Sequence, residues 1–316
     1  MTETGTDISK ASMILKSGDL VAIPTETVYG LAANALDTDA VLKIYETKGR
    51  PLFNPLIVHV HDAEEFSKYA TEIPDLVYQL AKDFSPGPLT FVLKKKDIIP
   101  DIVTGGGETV ALRVPGHPLT LQLLSQLDFP LAAPSANPFG YISPVNAFHV
   151  KEQLDGKIPY ILDGGNCMIG VESTVITIVE GKIHVLRHGG VSLEELRKFG
   201  ELQLPSSLVS LPSSPGQLKS HYAPRIKLYT GELKNLLVKF KNEKKAVLSF
   251  TDRTQGNNIV AEEVLSINGD LTEAARNLFS AMRKLDASEA DVILAEKFPE
   301  HGLGVAINDR LERASN

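Results

Sequence analysis

Cysteine, tryptophan and aromatic residues in general are scarce in this chain of 316 residues. It has one cysteine, Cys167, no tryptophan, and an aromatic content of 6%. A single cysteine excludes an internal disulfide framework, and no pair of Cys or His residues has the spacing of a structural zinc site. The fold must therefore rest on a hydrophobic core, which a chain of this length is able to bury.

Long apolar runs and an excess of positive charge are also missing. No stretch approaches the ~20 apolar residues that a membrane-spanning helix needs. Residues 1–16 lack the basic head and apolar run of a signal peptide, so we expect a cytoplasmic protein with no membrane attachment. The net charge of −7 does not suit a protein that coats nucleic acid. A small basic cleft in an acidic protein remains compatible with binding of small anions.

Alternating strand and helix patterns predict an α/β fold. Residues 20–23 form an apolar run that ends at Pro24, and residues 39–47 have the apolar periodicity of a helix. Such alternation continues to a predicted capping box at Ser192 and Glu195, and it restarts near residue 226. A stretch rich in proline and serine separates the two patterns. We predict a first domain at 1–200, a linker at 201–224 and a smaller α/β domain at 225–316.

The most informative stretch is the cationic loop that follows the helix predicted at 39–47. Lys48 and Arg50 flank a glycine, and two prolines, Pro51 and Pro55, stiffen the path into an apolar run. The planar fork of an arginine and the point charge of a lysine together suit a polyanion such as a nucleotide triphosphate. The alternative interpretation is an ordinary solvated turn.

Three short polar segments adjoin predicted buried strands, at residues 25–27, 135–137 and 172–174. Hydroxyl and amide side chains at such positions either cap their own backbone or bind a ligand at the end of the sheet, and both interpretations stay open.

Arg113 interrupts the apolar strand predicted at 110–115. A buried unpaired charge is very costly, so Arg113 must pair with an internal carboxylate or with an anionic ligand. The standard sequence motifs of P-loop nucleotide binding, dinucleotide binding, zinc proteases and serine hydrolases are all missing.

Taken together, five segments of the sequence resemble the YrdC/Sua5 family of threonylcarbamoyl-AMP synthases. They are, in order, 24–31 (PTETVYGL), 48–50 (KGR), 54–56 (NPL), 135–137 (SAN) and 172–174 (EST). Residues 220–224 (SHYAP) and 302–310 (GLGVAINDR) resemble the long, two-domain Sua5 form, so the resemblance covers nearly the whole chain. One departure is His188, where the family pattern would have proline.

The resemblance implies a fold and a reaction. The fold is a YrdC-like twisted mixed sheet with helices and a basic cavity, followed by a smaller Rossmann-like α/β domain. The reaction joins L-threonine, bicarbonate or CO2, and ATP into threonylcarbamoyl-adenylate and pyrophosphate. The product serves the t6A modification of adenosine 37 in tRNA, so a downstream tRNA threonylcarbamoyl transferase is an expected partner, whereas tight binding of tRNA itself is not expected.

The resemblance also implies roles for individual residues. The set expected to hold the ATP phosphates and Mg2+, and so to carry catalysis, is Lys48, Arg50, Ser135 and Asn137. Further residues expected on the ATP side are Asn54, Thr109, Ser143, Arg187 and Tyr222. The residues expected to hold threonine are Thr27, His59, Arg113 and Ser173. No side-chain metal cluster is expected, because Mg2+ would enter with the ATP phosphates.

Tyr222 lies in the predicted linker, which we hypothesise to be a lid that closes over the nucleotide.

Three other interpretations remain open from the sequence: an RNA-binding module, an ATP-binding regulatory protein of the same fold, and an accessory carbamoyl-transfer domain like that of hydrogenase-maturation proteins. The last of these would bring acylphosphatase and zinc-finger segments, which the sequence does not show.

Overall fold

A computed structural model describes residues 1–204 and 221–316 of the chain. The described residues divide into two compact units. The first unit holds residues 1–139, 144–168 and 172–204, and the second holds 221–316 together with the short segments Gly140–Ser143 and Ile169–Val171. Most of the predicted linker lies outside the described residues.

A mixed, twelve-stranded sheet forms the framework of the first unit. Its strands are β1 Glu3–Gly5, β2 Val21–Ile23, β3 Gly30–Asn34, β4 Ile57–His59, β5 Ala70–Thr71, β6 Leu89–Lys95, β7 Thr109–Arg113, β8 Leu131–Ala132, β9 Tyr160–Leu162, β10 Thr174–Val179, β11 Lys182–Arg187 and β12 Leu202–Gln203. The order across the sheet is β1-β9-β2-β3-β8-β4-β7-β6-β10-β11-β12, and β5 pairs with β6.

Helices connect these strands. They are α1 Ile8–Lys16, α2 Thr38–Lys48, α3 Phe66–Tyr69, α4 Asp75–Phe84, α5 Asp101–Thr104, α6 Pro118–Leu124, α7 Ala147–Leu154 and α8 Leu193–Leu196, with a 3-10 turn at Ala63–Glu65. Part of the core lies between α1 and the sheet, where Ala11 and Leu15, one turn apart, pack with Val21 and Ile23 of β2. The expected α/β class and the twisted mixed sheet are confirmed.

The helix α2 matters most for the site because its last residue is Lys48. Asp37 caps its N-terminus by accepting hydrogen bonds from the amides of Asp39 and Ala40. The face of α2 that carries Val41 and Ile44 is buried. Gly49 ends the helix with a left-handed backbone at φ 62°, a conformation that glycine adopts without strain.

Two features mark the end of the first unit. The capping box is confirmed, because Ser192 Oγ accepts from the Glu195 amide while Glu195 accepts from the Ser192 amide. The strand β12 begins within the range expected as linker, since Leu202 pairs with Ile183 of β11 and adds an edge strand to the sheet.

The second unit contains a four-stranded parallel sheet in the order β13-β16-β14-β15. Its elements are β13 Leu228–Gly231, α9 Leu233–Lys239, β14 Lys245–Ser249, β15 Ile259–Val264, α10 Leu271–Asp286, β16 Val292–Glu296 and α11 Gly304–Ser315. The longest helix, α10, buries Leu278, Phe279 and Met282, which recur at the spacing of one helical face. Within the described part of the chain, every helix is too short or too polar to cross a membrane.

Candidate active site

A row of polar residues crosses five neighbouring strands of the first sheet. His59 and Arg113 are register partners at the ends of the parallel strands β4 and β7. On the next strands, Thr90 of β6 faces Val175 of β10, and Val175 faces Arg187 of β11. Ser173 precedes β10 directly. We call His59, Thr90, Arg113, Ser173 and Arg187 the strand-end cluster.

Arg113 is buried and uses most of its hydrogen-bond donors within the protein. Nε donates to the Gly87 carbonyl at 3.1 Å, and Nη2 donates to Glu26 Oε1 at 2.6 Å and to Thr27 Oγ1 at 3.0 Å. The internal carboxylate that the sequence analysis offered as one alternative is therefore Glu26. Nη1 has no hydrogen-bond partner among the described residues, yet it is not sealed inside the protein. One edge of the guanidinium thus stays available to a ligand.

His59 lies beside Arg113 and is neutral near physiological pH. Burial, followed by the positive charge of Arg113, lowers the pKa of His59 from 6.5 to about 3. Its Nδ1 atom is buried and has no hydrogen-bond partner within 1–204 and 221–316. An unsatisfied buried ring nitrogen is costly, so a bound molecule that supplies its partner would gain affinity there.

Ser173 and Arg187 are in direct contact at the other end of the cluster. Arg187 Nη2 donates to Ser173 Oγ at 3.0 Å and to the Ser173 carbonyl at 2.8 Å. Ser173 Oγ also shares a hydrogen bond of 2.7 Å with Thr90 Oγ1. The residues expected to face ATP and those expected to face threonine therefore meet at this pair.

A second group of residues surrounds the cationic loop. Lys48 is buried, and its Nζ donates to the carbonyls of Ser135, at 2.6 Å, and Asn137. Burial, and then the neighbouring Arg50, hold the pKa of Lys48 well below its usual value. Lys48 thus fixes the backbone of the 135–137 segment, and an incoming anion would stabilise its charge.

Arg50 is held by the loop that follows it. Its Nε donates to the Asn54 carbonyl at 3.1 Å, while Nη2 donates to Asn54 Oδ1 at 2.7 Å and to the Pro55 carbonyl at 2.8 Å. The guanidinium also lies 5.8 Å from the centre of the Phe139 ring. Asn54 Nδ2 is buried without a partner in the described part of the chain. We call Lys48, Arg50, Asn54, Ser135 and Asn137 the cationic-loop cluster.

Residues 25–30 contact both clusters. At one end of this segment, Glu26 and Thr27 bind the Arg113 guanidinium. At the other end, Gly30 forms an isolated bridge with Ser135, and the Tyr29 carbonyl accepts from the Ala136 amide at 2.8 Å. Six consecutive residues therefore connect the strand-end cluster with the cationic-loop cluster inside one unit.

Three further predicted residues are not members of either cluster. Thr109 is exposed at the start of β7, four residues or about 13 Å along the strand from Arg113. Ser143 and Tyr222 belong to the second unit. The Tyr222 ring is buried, stacks on Phe279 at 5.5 Å and lies 5.2 Å below the Arg310 guanidinium. The lid role of Tyr222 stays a prediction.

Two residues of the site had no role in the sequence analysis. Glu26 is visible there as the centre of a polar triplet, but its partner Arg113 is 87 residues away. Thr90 has no local motif, and it joins the cluster only through the pairing of β6 with β10. Cys167 is not an activated nucleophile, because burial raises the pKa of its thiol.

Comparison with known proteins gives matches over the whole chain. The sequence model of the Sua5, YciO and YrdC proteins, described as "Telomere recombination", matches residues 13–189, and the model "Threonylcarbamoyl-AMP synthase, C-terminal domain" matches residues 191–316. The threonylcarbamoyl-AMP synthase of Pyrococcus abyssi is 44% identical, with 96% of this chain and 93% of the relative covered. The Bacillus subtilis enzyme of that name is 41% identical, with 98% and 92% covered.

Solved structures agree with the sequence matches. The crystal structure of P. abyssi Sua5 complexed with L-threonine is 42% identical and superposes with a TM-score of 0.91, over 100% of this chain and 97% of that one. Escherichia coli YciO, at 23% identity and a TM-score of 0.52 over 60% of this chain, shares the fold. The chain therefore belongs to the Sua5/YrdC family of threonylcarbamoyl-AMP synthases, in the two-domain Sua5 form.

Proposed function

We propose that this protein is a threonylcarbamoyl-AMP synthase that acts on L-threonine, bicarbonate or CO2, and ATP. Full-length relatives of this name at 41–44% identity support the assignment. The structural observation that carries it is that residues 25–30 connect two basic groups. One is Arg113, whose Nη1 has no partner among the described residues, and the other is the buried Lys48 with its neighbour Arg50. One cluster suits an amino-acid carboxylate and the other suits a nucleotide polyphosphate.

In the proposed complex, threonine binds at the strand-end cluster. Its carboxylate accepts hydrogen bonds from Nη1 of Arg113, the guanidinium nitrogen that has no partner among the described residues. Neutral His59 offers its unsatisfied ring nitrogen to a polar group of the substrate. Thr27 and Ser173 place hydroxyl groups around the same position, as the family resemblance implies.

ATP binds at the cationic-loop cluster in this proposal. Lys48 and Arg50 offset the phosphate charge, and Ser135 and Asn137 line the loop that Lys48 holds. The family resemblance assigns Arg187 to ATP and Ser173 to threonine, and the hydrogen bond between them supports a position of Arg187 near both substrates. The assignments of Asn54, Thr109, Ser143 and Tyr222 to the nucleotide follow from the family resemblance.

Mg2+ would accompany ATP and neutralise part of its phosphate charge. Among the described residues no group of three or more His, Cys, Asp or Glu side chains could hold a metal ion. Mg2+ often keeps its waters and binds through substrate phosphates with few protein ligands. The side-chain oxygens of Ser135 and Asn137 are oxygen ligands of the type that Mg2+ prefers.

The proposed chemistry consists of two bond-forming steps. The threonine ammonium group loses one proton, the amine nitrogen bonds to the carbon of CO2 as one C–O π bond breaks, and the nitrogen loses a second proton to give a carbamate. A carbamate oxygen then attacks the α-phosphorus of ATP, and the bond to pyrophosphate breaks. The protein supplies mainly alignment of the three substrates and fixed positive charge where negative charge accumulates.

The product would be passed on for t6A modification of tRNA. A separate tRNA threonylcarbamoyl transferase would consume the adenylate, and we propose that this happens in the cytoplasm. Because the chain has a net charge of −7, tight binding of bare tRNA is not part of the proposal.

Pyrophosphate release from ATP and Mg2+ tests the proposed function. The complete mixture is compared with mixtures that lack L-threonine or bicarbonate, and with the variant Lys48→Ala. We expect release that requires both co-substrates and falls sharply in the variant. Tight ATP binding without such release would instead favour an ATP-binding regulatory protein of the same fold.

A further inference from the structure

Glu26 is a buried carboxylate to which the proposed reaction assigns no role. Its side chain retains only about a tenth of its surface, and both of its oxygens are engaged. Oε1 accepts from Arg113 Nη2 at 2.6 Å, and Oε2 accepts from the Gly116 amide at 2.8 Å. The hydrogen bond from the Gly116 amide fixes the plane of the Glu26 carboxylate, so Glu26 can hold the Arg113 guanidinium in one orientation.

The contacts of Arg113 show what this orientation achieves. The Gly87 carbonyl accepts a hydrogen bond from Nε, while Glu26 and Thr27 accept hydrogen bonds from Nη2. These three partners occupy one side of the planar guanidinium fork. Nη1 is left as the part of Arg113 that can meet a ligand. Without Glu26, the guanidinium could instead turn two of its N–H groups toward an incoming oxyanion and bind it in a bidentate manner.

Charge compensation is the second consequence of the contact. ATP, pyrophosphate, bicarbonate and the threonine carboxylate all carry negative charge, and a bare buried arginine would attract each of them. The Glu26–Arg113 pair has no net charge, so it discriminates against multiply charged oxyanions. It still offers one polarised N–H edge to a single carboxylate. A zwitterionic amino acid, which also has no net charge, fits this pair.

We propose that Glu26 is a positioning residue that fixes Arg113 and makes its pocket selective for an amino-acid carboxylate over inorganic oxyanions such as phosphate. The inference rests on the proposed function, because it assigns Arg113 to the threonine carboxylate. Glu26 itself acts through Arg113 and does not take part in bond formation.

Steady-state kinetics of the full-length protein test this role with two variants. Glu26→Gln removes the charge and leaves one oxygen for two donors. We expect its KM for threonine to rise about tenfold or more, as is typical when one partner of a buried charge pair is lost, while the KM for ATP stays within about twofold. Inorganic phosphate should then inhibit competitively against threonine, at concentrations several-fold lower than in the wild type.

Glu26→Asp tests the effect of the carboxylate position separately from the effect of its charge. It keeps the negative charge but is one methylene too short to reach both Arg113 and the Gly116 amide. We expect a raised KM for threonine without the gain in phosphate inhibition. Glu65→Gln serves as a matched control, because Glu65 pairs with Lys68 on the surface of the same unit and should leave every parameter unchanged.

A purely structural role would lower kcat and thermal stability in both variants with no selective change in the threonine KM and no phosphate competition, and that result would overturn the inference. If Glu26→Gln does not fold, Glu26→Asp decides: a selective rise in the threonine KM supports the role, and an unchanged KM overturns it. A wild-type protein that releases no threonine-dependent pyrophosphate would instead refute the proposed function, so the two failures are distinguishable.

Discussion

At the scale of single residues, the site is defined by buried polar groups whose hydrogen bonds are incomplete or made to neutral partners. Lys48 donates to two backbone carbonyls, His59 keeps an unsatisfied ring nitrogen, and Arg113 keeps one open edge. Each arrangement costs stability in the free protein, since desolvation of these groups is only partly compensated. Bound substrates would supply the missing partners.

Replacement of Lys48 tests whether its charge acts on ATP. Lys48→Ala removes a phosphate partner and releases the 135–137 segment, so we expect pyrophosphate release to fall by about 100-fold or more, as with loss of one oriented donor in other enzymes. The measurement is kcat/KM for ATP. Lys68→Ala, which removes an exposed lysine that pairs with Glu65, is the control and should keep full activity.

The pH dependence of ATP binding offers a second test of Lys48. Because burial and the neighbouring Arg50 lower the pKa of Lys48 well below 10.5, Lys48 loses its positive charge at a lower pH than an ordinary lysine. We expect the KM for ATP to rise as the pH is raised from 7 to 10. In Lys48→Arg, which stays charged over this range, the rise should be absent. Equal pH profiles of the two proteins would contradict a role for the lysine charge.

His59 predicts how stability depends on pH. Its pKa is about 3 in the folded protein against 6.5 for the free side chain, so between these values the unfolded chain binds one more proton. This group therefore lowers the free energy of unfolding as the pH falls below about 6.5, by up to about 1.4 kcal/mol per pH unit. Thermal unfolding between pH 7 and 4 should be steeper for the wild type than for His59→Gln. Parallel curves would show that His59 is not buried in its neutral form.

At the scale of elements, the site depends on close packing between a loop and a strand end. Gly189 follows β11 and lies against the backbone of residues 172–174, where an added Cβ would approach the Glu172 carbonyl to 2.3 Å. No real side chain tolerates such a distance, so the backbone of Ser173 would have to move. Because Arg187 and Thr90 both contact Ser173, the displacement would spread through the strand-end cluster.

Gly189→Ala should therefore damage the site without touching a substrate. We expect a loss of about 1–3 kcal/mol in the free energy of unfolding, as for other overpacked positions, and at least about tenfold in activity. Chemical denaturation and pyrophosphate release measure the two effects. Gly200→Ala is the control, since a Cβ there meets no atom of the described residues within 4 Å.

The elements themselves could largely be predicted from sequence, whereas their assembly could not. The periodic helix that ends at Lys48 and the buried strand that ends at Arg113 both follow from local patterns. The insertion of β8 between β3 and β4, and of β6 between β7 and β10, has no local sequence pattern. These pairings bring Thr90 to Ser173, so the contacts of the site needed the three-dimensional structure.

The partner of Arg113 also could not be identified from the sequence, because it lies far away along the chain. The sequence required a partner for Arg113 but could not choose between a carboxylate and a ligand. The structure shows the carboxylate, because Glu26 accepts a hydrogen bond from Nη2, and a ligand at the remaining Nη1 stays a prediction. The strand β1 was not predicted, because Glu3, Thr4 and Gly5 form no apolar pattern.

At the scale of the whole molecule, the net negative charge favours an enzyme that acts on small substrates over a protein that binds RNA. The chain has 39 acidic and 32 basic side chains, and several cations of the first unit are buried. We expect affinity for bare tRNA at physiological salt to be weaker than the ~1–100 µM of non-specific binders. A gel-shift titration measures this. Tight binding that weakens steeply with added salt would revive the RNA-binding interpretation.

In the proposed reaction, one protein joins threonine, a one-carbon unit and the adenylate of ATP. Mass spectrometry of the nucleotide product formed from carbon-13 bicarbonate tests it most directly. We expect threonylcarbamoyl-AMP that carries one heavy carbon, forms only with L-threonine and ATP present, and is lost in Lys48→Ala. Pyrophosphate release with no nucleotide product that contains both threonine and the labelled carbon would contradict it.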